Sequence, residues 1–142
     1  MSQQMTAEER RGFLTAGTRT LKVATVRADG QPHVVPVWFV LDGDTVVFTT
    51  GEDTLKGRHL RRDPRVALCV DEETPPFAFV LIEGTAELIR NAPDLLDWAT
   101  RIAHRYMGAE RAAAYGTRNA VDSELLVRVT PTKIIALAGI SD

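Results

Sequence analysis

One segment of this sequence brings together residue types that bind phosphate or another small anion. Thr49 and Thr50 end an apolar run, a short polar loop follows, and Thr54 and Lys56 open a run with helical spacing. Helix N-termini expose unpaired N–H groups and a partial positive charge, and they therefore favour anions. Hydroxyl groups and one ammonium group nearby would complete such a site. An ordinary capped helix with a solvated lysine is the other interpretation, and the spacing alone leaves both open.

Basic residues follow this segment directly, although the chain has a formal net charge of -2. Four arginines recur at helical spacing after Lys56, and they are Arg58, Arg61, Arg62 and Arg65. A run of this kind usually forms a solvated helix face. The alternative is that the four arginines attract the anionic part of a cofactor.

The sequence has no pattern typical of hydrolytic or metal-dependent catalysis. It contains no Ser/His/Asp or Cys/His arrangement, no metal-ligand spacing and no glycine-rich phosphate loop. His33 and His104 have no partner visible in the sequence, and Glu83 interrupts an apolar run as an outward-facing strand acid commonly does. We therefore predict no metal site, and we assign no catalytic residue.

Composition predicts a single intracellular domain that covers residues 1–142. The hydrophobic fraction of 44% and the charged fraction of 25% are ordinary for a globular protein of this length. The slightly negative net charge argues against nucleic-acid binding, which usually needs a basic excess. The one cysteine, Cys69, cannot form an internal disulfide, which favours a reducing cytoplasm. No signal-peptide core and no apolar stretch of membrane-spanning length occurs, so we predict no membrane association.

Local patterns predict a mainly β chain with one long helix and two or three short ones. Thr6 and Glu9 have the spacing of a capping box, so a first helix should run to about Ala16. Pro131 is assigned to a turn between the last two strands. The predicted strands are 20–27, 33–41, 45–49, 65–71, 77–89, 125–129 and 133–138, and the other predicted helices are 54–62, 92–107 and 110–115. Consecutive hairpins favour a six- to seven-stranded antiparallel barrel over a βαβ sheet.

The second predicted strand is apolar on both faces. Every residue from 34 to 41 (VVPVWFVL) is apolar, whereas a strand of a small antiparallel sheet normally alternates because one face is wet. A partner subunit, a flat ligand or both should therefore cover the second face. Pro36 removes a ladder donor in this strand, so we expect the sheet to open or bulge there.

Several segments of the sequence, taken in their order along the chain, resemble the pyridoxamine-phosphate-oxidase-like split barrels, and more narrowly their actinobacterial F420-dependent branch. The matching segments cover most of the chain. They are 21–26 (LKVATV), 29–39 (DGQPHVVPVWF), 48–50 (FTT), Lys56 with 58–66 (RHLRRDPRV), 80–87 (VLIEGTAE) and 105–108 (RYMG). The resemblance implies a split barrel that forms a homodimer, with two cofactors in clefts between the protomers.

The resemblance also implies which residues bind the cofactor. The phosphate would be held by residues at the end of the third strand and the start of the next helix: Thr49, Thr50, Thr54, Lys56 and, nearby, Arg58. The backbone at Val35, Pro36 and Val37 would lie along the planar ring. Phe77 and Phe79, in the loop after Pro76, would reach the cofactor of the other protomer.

Two positions depart from the FMN-binding members of this family. Those members commonly carry an arginine and a lysine on the second strand, and the corresponding residues here are Val35 and Val40. The departure favours F420 over FMN as the cofactor. The resemblance then implies an F420-dependent reductase that passes a hydride between the deazaflavin and a small organic molecule. The alternatives are a non-catalytic protein that binds a flavin, F420 or a tetrapyrrole, and an FMN-dependent oxidase or reductase.

Overall fold

A computed structural model of the protein describes residues 1–142 and shows a mainly β chain with four helices. In chain order the elements are β1 (Gln3–Gln4), α1 (Ala7–Thr15), β2 (Leu21–Val26), β3 (Pro32–Val37), β4 (Val40–Asp42), β5 (Thr45–Gly51), α2 (Leu55–Arg62), β6 (Arg65–Glu72), β7 (Ala78–Ile89), α3 (Leu95–Met107), α4 (Ala109–Asn119) and β8 (Glu124–Ala138). None of the four helices is both long and apolar enough to cross a membrane.

The strands form one antiparallel sheet that curls into a barrel. Its order is β3-β2-β6-β7-β8-β5-β4, with β1 paired to β8 outside this path. The first and last strands of the order, β3 and β4, are joined in the chain by residues 38–39 alone. A link this short can connect the two ends of the sheet only if the sheet curls into a barrel. Helix α2 packs on β2, β5 and β7.

The barrel interior is filled by alternate residues of the strands. Leu21, Val23 and Thr25 of β2 are buried and alternate with half-buried residues, and Phe39 and Phe48 are the largest fully buried side chains. Together with Leu60 of α2 and Leu14 of α1, these strands contribute to an apolar core cluster of 16 buried residues.

A second, smaller core lies outside the barrel, where α3 covers β5. Val47 and Leu126 point outward from β5 and β8 and pack against Leu95 and Trp98 of α3. Leu95, Ala99, Ile102 and Ala103 are buried at helical spacing and form the apolar stripe of this helix. Helix α4 packs in turn on α3, and a side chain at Gly116 would place its Cβ 2.3 Å from Thr100 Oγ1.

The predicted strand 33–41 is interrupted, but not at the proline. Pro36 stays in β3 opposite Lys22, and the chain leaves the ladder only at residues 38–39. Phe39 turns into the core there, and α3 takes over its backbone groups. Its N–H donates to the Tyr106 hydroxyl at 3.3 Å, and its carbonyl accepts from the Arg105 guanidinium at 2.9 Å. The expectation that the sheet opens at Pro36 was wrong because this edge position needs no N–H donor.

The predicted turn at Pro131 was also wrong, since β8 continues through it to Ala138. A shift in register absorbs the proline: Glu83 pairs with Lys133 but Gly84 pairs with Pro131, which leaves Thr132 as the extra residue of a bulge. The structure thus has eight strands where six to seven were expected. The last two predicted strands form one strand, β8, and the second predicted strand is divided into β3 and β4. The two-residue strand β1 was not predicted. The capping box of Thr6 and Glu9 is confirmed.

Candidate cofactor site

The start of α2 is fastened to the end of β5 by two threonine hydroxyls. Thr54 is the N-cap, and its hydroxyl accepts from the Gly57 N–H at 3.1 Å and donates to the Gly51 carbonyl at 2.8 Å. The Thr50 hydroxyl lies 2.9 Å from it, and Thr50 is only 2% exposed. Both hydroxyls therefore serve the junction between strand and helix.

Gly57 allows this junction to be tight. A Cβ at this position would lie 2.5 Å from the Gly51 carbonyl oxygen, closer than a side chain can approach a backbone atom. The first turn of α2, which includes Lys56, is therefore pressed against the end of β5. Of the residues predicted to hold a phosphate, Thr50 and Thr54 are in direct contact there, and Lys56 leaves the same turn.

Lys56 is half-buried and has an acidic neighbour, Glu124, that is distant in the sequence. Burial lowers the pKa of Lys56, and the nearby carboxylate of Glu124 opposes this shift. Burial raises the pKa of Glu124, while a hydrogen bond from Thr49 and the charge of Lys56 lower it. Glu124 begins β8 directly opposite Gly51. Thr49, Lys56 and Glu124 thus form one half-buried polar group beside the capped helix N-terminus.

Arg58 does not share the side of α2 that Lys56 occupies. Residues two apart on a helix do not face each other, and Arg58 is exposed. Its guanidinium makes no hydrogen bond or ion pair. The other arginines of the basic run are engaged: Arg61 donates to the Glu52 carbonyl, Arg62 donates to the Val26 carbonyl, and Arg65 pairs with Asp63.

The strand expected to lie along the cofactor ring is an open edge of the sheet. Val34 is 62% exposed and Pro36 is exposed, whereas Val35 and Val37 are half-buried. An edge strand also presents unpaired N–H and C=O groups. The doubly apolar segment thus leaves an apolar outer face on β3 that this chain does not cover.

A histidine cluster connects this strand to α2. The Nδ1 atom of His59 lies 2.8 Å from the Thr25 hydroxyl, and the His59 ring meets the His33 ring edge to face at 5.2 Å between centroids. Thr25 and His33 are paired residues of β2 and β3. We call Thr25, His33 and His59 the histidine joint. No partner of His33 was visible in the sequence, because His59 lies far along the chain and meets His33 only in the folded barrel.

The aromatic residues predicted at the site lie far from Lys56 within one chain. Phe79 pairs with Leu137, near the end of β8, whereas Thr50 pairs with Leu125, near its start. Twelve residues of strand separate these positions, which is roughly 40 Å along the strand. Phe77 is 38% exposed and has a φ of 61°, an unusual conformation for a bulky residue. It borders a groove with Phe13, Arg19 and Glu72.

Comparison with known proteins identifies the family. Residues 6–138 match the family model of pyridoxamine 5'-phosphate oxidase. The chain belongs to this family. The family takes its name from an oxidoreductase, pyridoxamine 5'-phosphate oxidase. The resemblance to this family and the mainly β, antiparallel fold class are confirmed.

One curated relative and three solved structures are similar to this family member. The chain is 36% identical over 76 residues to a 5a,11a-dehydrotetracycline/5a,11a-dehydrooxytetracycline reductase of Streptomyces rimosus subsp. rimosus, which covers 48% of this chain and 54% of the relative. The chain thus spans about half the length of that relative. A conserved hypothetical protein from Mycobacterium tuberculosis has a TM-score of 0.83 at 26% identity, over 96% of this chain and 87% of the other.

Two further solved structures have the same fold, and the names of these proteins mention a cofactor. An F420 reductase has a TM-score of 0.68 at 24% identity, over 87% of this chain and 94% of the other. An FAD-binding protein from Mesorhizobium loti has a TM-score of 0.67 at 22% identity, over 96% of each chain. Proteins of this fold therefore include binders of flavin-type cofactors.

The histidine joint predicts how stability depends on pH. The pKa of His59 is lowered from its ordinary 6.5 by burial first, and then by His33, Arg62, Arg27 and Arg58. The unfolded chain therefore binds a proton that the folded chain resists, and the free energy of unfolding should fall as the pH drops from about 7.5 to about 5.5. Urea unfolding at several pH values should show this slope, and His59→Asn should flatten it. His104→Asn, which removes an exposed histidine of α3, is the control, and equal slopes for all three proteins would contradict the prediction.

Proposed function

We propose that this protein is an F420-dependent oxidoreductase that transfers a hydride between F420 and an organic acceptor. The observation that carries the proposal is the half-buried ammonium of Lys56 at the first turn of α2, in a chain with valines at positions 35 and 40. Membership of an oxidoreductase family supports the reaction class. The reductase activity of the Streptomyces relative supports reduction as its direction.

The groups around Lys56 suit one negative charge better than two. The Lys56 ammonium and the N–H groups at the helix start favour an anion, but Glu124 opposes one. F420 carries a singly charged phosphodiester. FMN ends in a phosphate monoester with a charge of about -1.5 to -2 at neutral pH. A site with one lysine, one nearby carboxylate and no strand arginine therefore fits F420 better than FMN.

The strand that would face the ring also fits F420 better than FMN. Val35 is half-buried on β3, and Val40 of β4 packs against the second core beside Trp98 and Val47. Neither position supplies a charge, so any phosphate has to be held from α2. The apolar edge of β3 at Val35, Pro36 and Val37 would then contact the flat ring.

The chemistry in this proposal belongs mainly to the cofactor. When bound, the deazaflavin supplies or accepts the hydride, and the protein supplies orientation and electrostatics. Lys56 would hold the phosphate, β3 would align the ring, and its apolar surface would exclude water from one side. No acid–base pair of the chain is assigned to the reaction.

Titration with the two cofactors tests the proposal directly. F420 should bind at least tenfold more tightly than FMN, which is about 1.4 kcal/mol, because position 35 lacks the arginine that holds an FMN phosphate. Fluorescence titration gives both affinities, and reduced F420 should then be oxidised by members of a panel of quinones, unsaturated ketones and tetrapyrroles. Equal affinities, or FMN retained through purification, would contradict the preference. Tight binding without turnover of any acceptor would support a cofactor carrier.

Lys56→Ala should weaken F420 binding roughly 10- to 150-fold. A charge-assisted contact contributes about 1.5–3 kcal/mol, and about 1.4 kcal/mol corresponds to a factor of ten. The free energy of unfolding should change by at most about 1 kcal/mol, since partly exposed charges contribute little to stability. Fluorescence titration and a thermal melt measure the two quantities.

Two further variants serve as controls for this experiment. Lys133→Ala removes an exposed lysine from β8 and should bind F420 like the wild type. Arg61→Ala tests the basic helix face, and any effect should be small and should vanish at high salt. If Arg61→Ala loses affinity while Lys56→Ala does not, the arginine face holds the anion and the assignment to Lys56 is wrong.

We also propose that two copies of this chain pair across the outer face of β3. The support is the exposed apolar surface at Val34 and Pro36, and the roughly 40 Å of strand that separates Phe79 from Thr50 within one chain. In a dimer, Phe77 and Phe79 of one protomer can approach the cofactor held by its partner. The interface would bury upward of ~2,000 Å². Sedimentation at micromolar concentration should therefore show a dimer, and a stable monomer would rule out the shared cleft.

A further inference from the structure

We propose that the histidine joint sets the position of Lys56 relative to β3, which makes His59 a positioning residue for the phosphate end of the cofactor. The proposal rests on the proposed function, because Lys56 matters here as the phosphate ligand. It adds a residue that sequence patterns did not single out.

Helix α2 is attached to the barrel at both of its ends. Its start is held to β5 through Thr54, and its second half is held to β2 through the bond between His59 and Thr25. Leu60, which is 2% exposed, anchors the same turn in the barrel core. An eight-residue helix is only about 12 Å long. A shift at its second turn therefore tilts the whole helix and displaces the first turn.

Lys56 is the residue on which such a tilt would act. Residues three apart on a helix lie on the same side, one turn from each other, so Lys56 and His59 are neighbours on the side that faces the barrel. Both are shielded from solvent, His59 at 5% exposure and Lys56 half-buried. The exposed Arg58 lies on another side and would be less affected.

Helix α2 also contacts β3, through His59 and His33. His33 and Val35 are alternate residues of this strand, so their side chains leave the same face of the sheet. Both are half-buried. The edge-to-face contact between His33 and His59 thus joins the helix that would hold the phosphate to the strand that would lie along the ring. Phosphate and ring are parts of one ligand and are joined by a polyol chain of limited length, so their two protein partners must stay within the reach of that chain.

A simple core-filling role for His59 explains the joint less well. Thr25 is 2% exposed and His59 is 5% exposed, and two buried polar side chains cost free energy unless their hydrogen bond is kept. Arginines 27, 58 and 62 lie close enough to disfavour a charge on the ring. The Nδ1 atom of His33 is buried without a hydrogen-bond partner. An apolar side chain would pack here at lower cost, and it would lack the directional bond that fixes α2 against β2.

Replacing Thr25 by valine removes its hydrogen bond to His59 and nearly keeps the shape of the side chain. Thr25→Val should weaken F420 binding about fivefold, equivalent to about 1 kcal/mol, because Lys56 is no longer held at the right distance from β3. Binding of the same deazaflavin chromophore without its phosphate should not change. His59→Asn keeps a hydrogen-bonding group where Nδ1 lies and should bind F420 within about twofold of the wild type, whereas His59→Phe should behave like Thr25→Val.

A double variant with Lys56→Ala distinguishes a positioning role of the histidine joint from a general loss of protein stability. If the joint acts through Lys56, adding Thr25→Val to Lys56→Ala should weaken F420 binding no further, and the two effects will be non-additive. Ile102→Val, a core substitution in α3 away from α2, should lower the melting temperature and leave F420 affinity unchanged.

The outcomes distinguish this inference from the proposed function. Equal weakening of the phosphate-free chromophore, full additivity with Lys56→Ala, or the same loss from Ile102→Val would each overturn the positioning role while Lys56 remained the phosphate ligand. A wild-type protein that binds neither F420 nor FMN would overturn the proposed function and the inference together. A loss of F420 affinity that spares the phosphate-free chromophore and is not additive with Lys56→Ala would support the positioning role and the proposed function.

Discussion

The short link at residues 38–39 constrains the whole molecule, because it joins the two strands at opposite ends of the sheet order. The sheet must close for the link to span them, and the closure is secured by Phe39, which is fully buried. Arg105 and Tyr106 of α3 satisfy its backbone groups, and Arg105 also donates to the Leu14 and Gly17 carbonyls. One buried phenyl ring and two side chains of α3 therefore hold together the barrel seam, the end of α1 and the long helix.

Closure of the barrel also decides where chemistry is possible. It brings the end of β5 and the strands β2 and β3 to the same helix, α2, which is fastened to β5 by threonine hydroxyls and to β2 by His59. A cation in the first turn of that helix is neither fully exposed nor fully buried, so it can bind an anion without a large desolvation cost. In the proposed site, the carboxylate of Glu124 would limit the charge of that anion.

Local rules in the sequence were enough to predict much of the fold. The capping box at Thr6, the alternation in β2, the start of α2 at Thr54 and the buried stripe of α3 each depend on residues within one or two turns of one another. The end of the candidate site that contains Thr50, Thr54 and Lys56 is predictable for the same reason. A strand end, a cap and a first-turn lysine form one continuous segment.

What only the tertiary structure decided involves partners that are distant in sequence. The break at residues 38–39 depends on Arg105 and Tyr106, and β8 passes Pro131 without turning because a bulge opposite Gly84 absorbs one residue. Glu124 and the contact of His33 with His59 follow from the order of strands in the closed sheet, which no local pattern encodes. The sequence by itself thus determined most of the elements, the family and the segment that would form one end of the candidate site. The separation between its two ends was decided by barrel closure, because side chains far apart in the chain meet only once the sheet has curled.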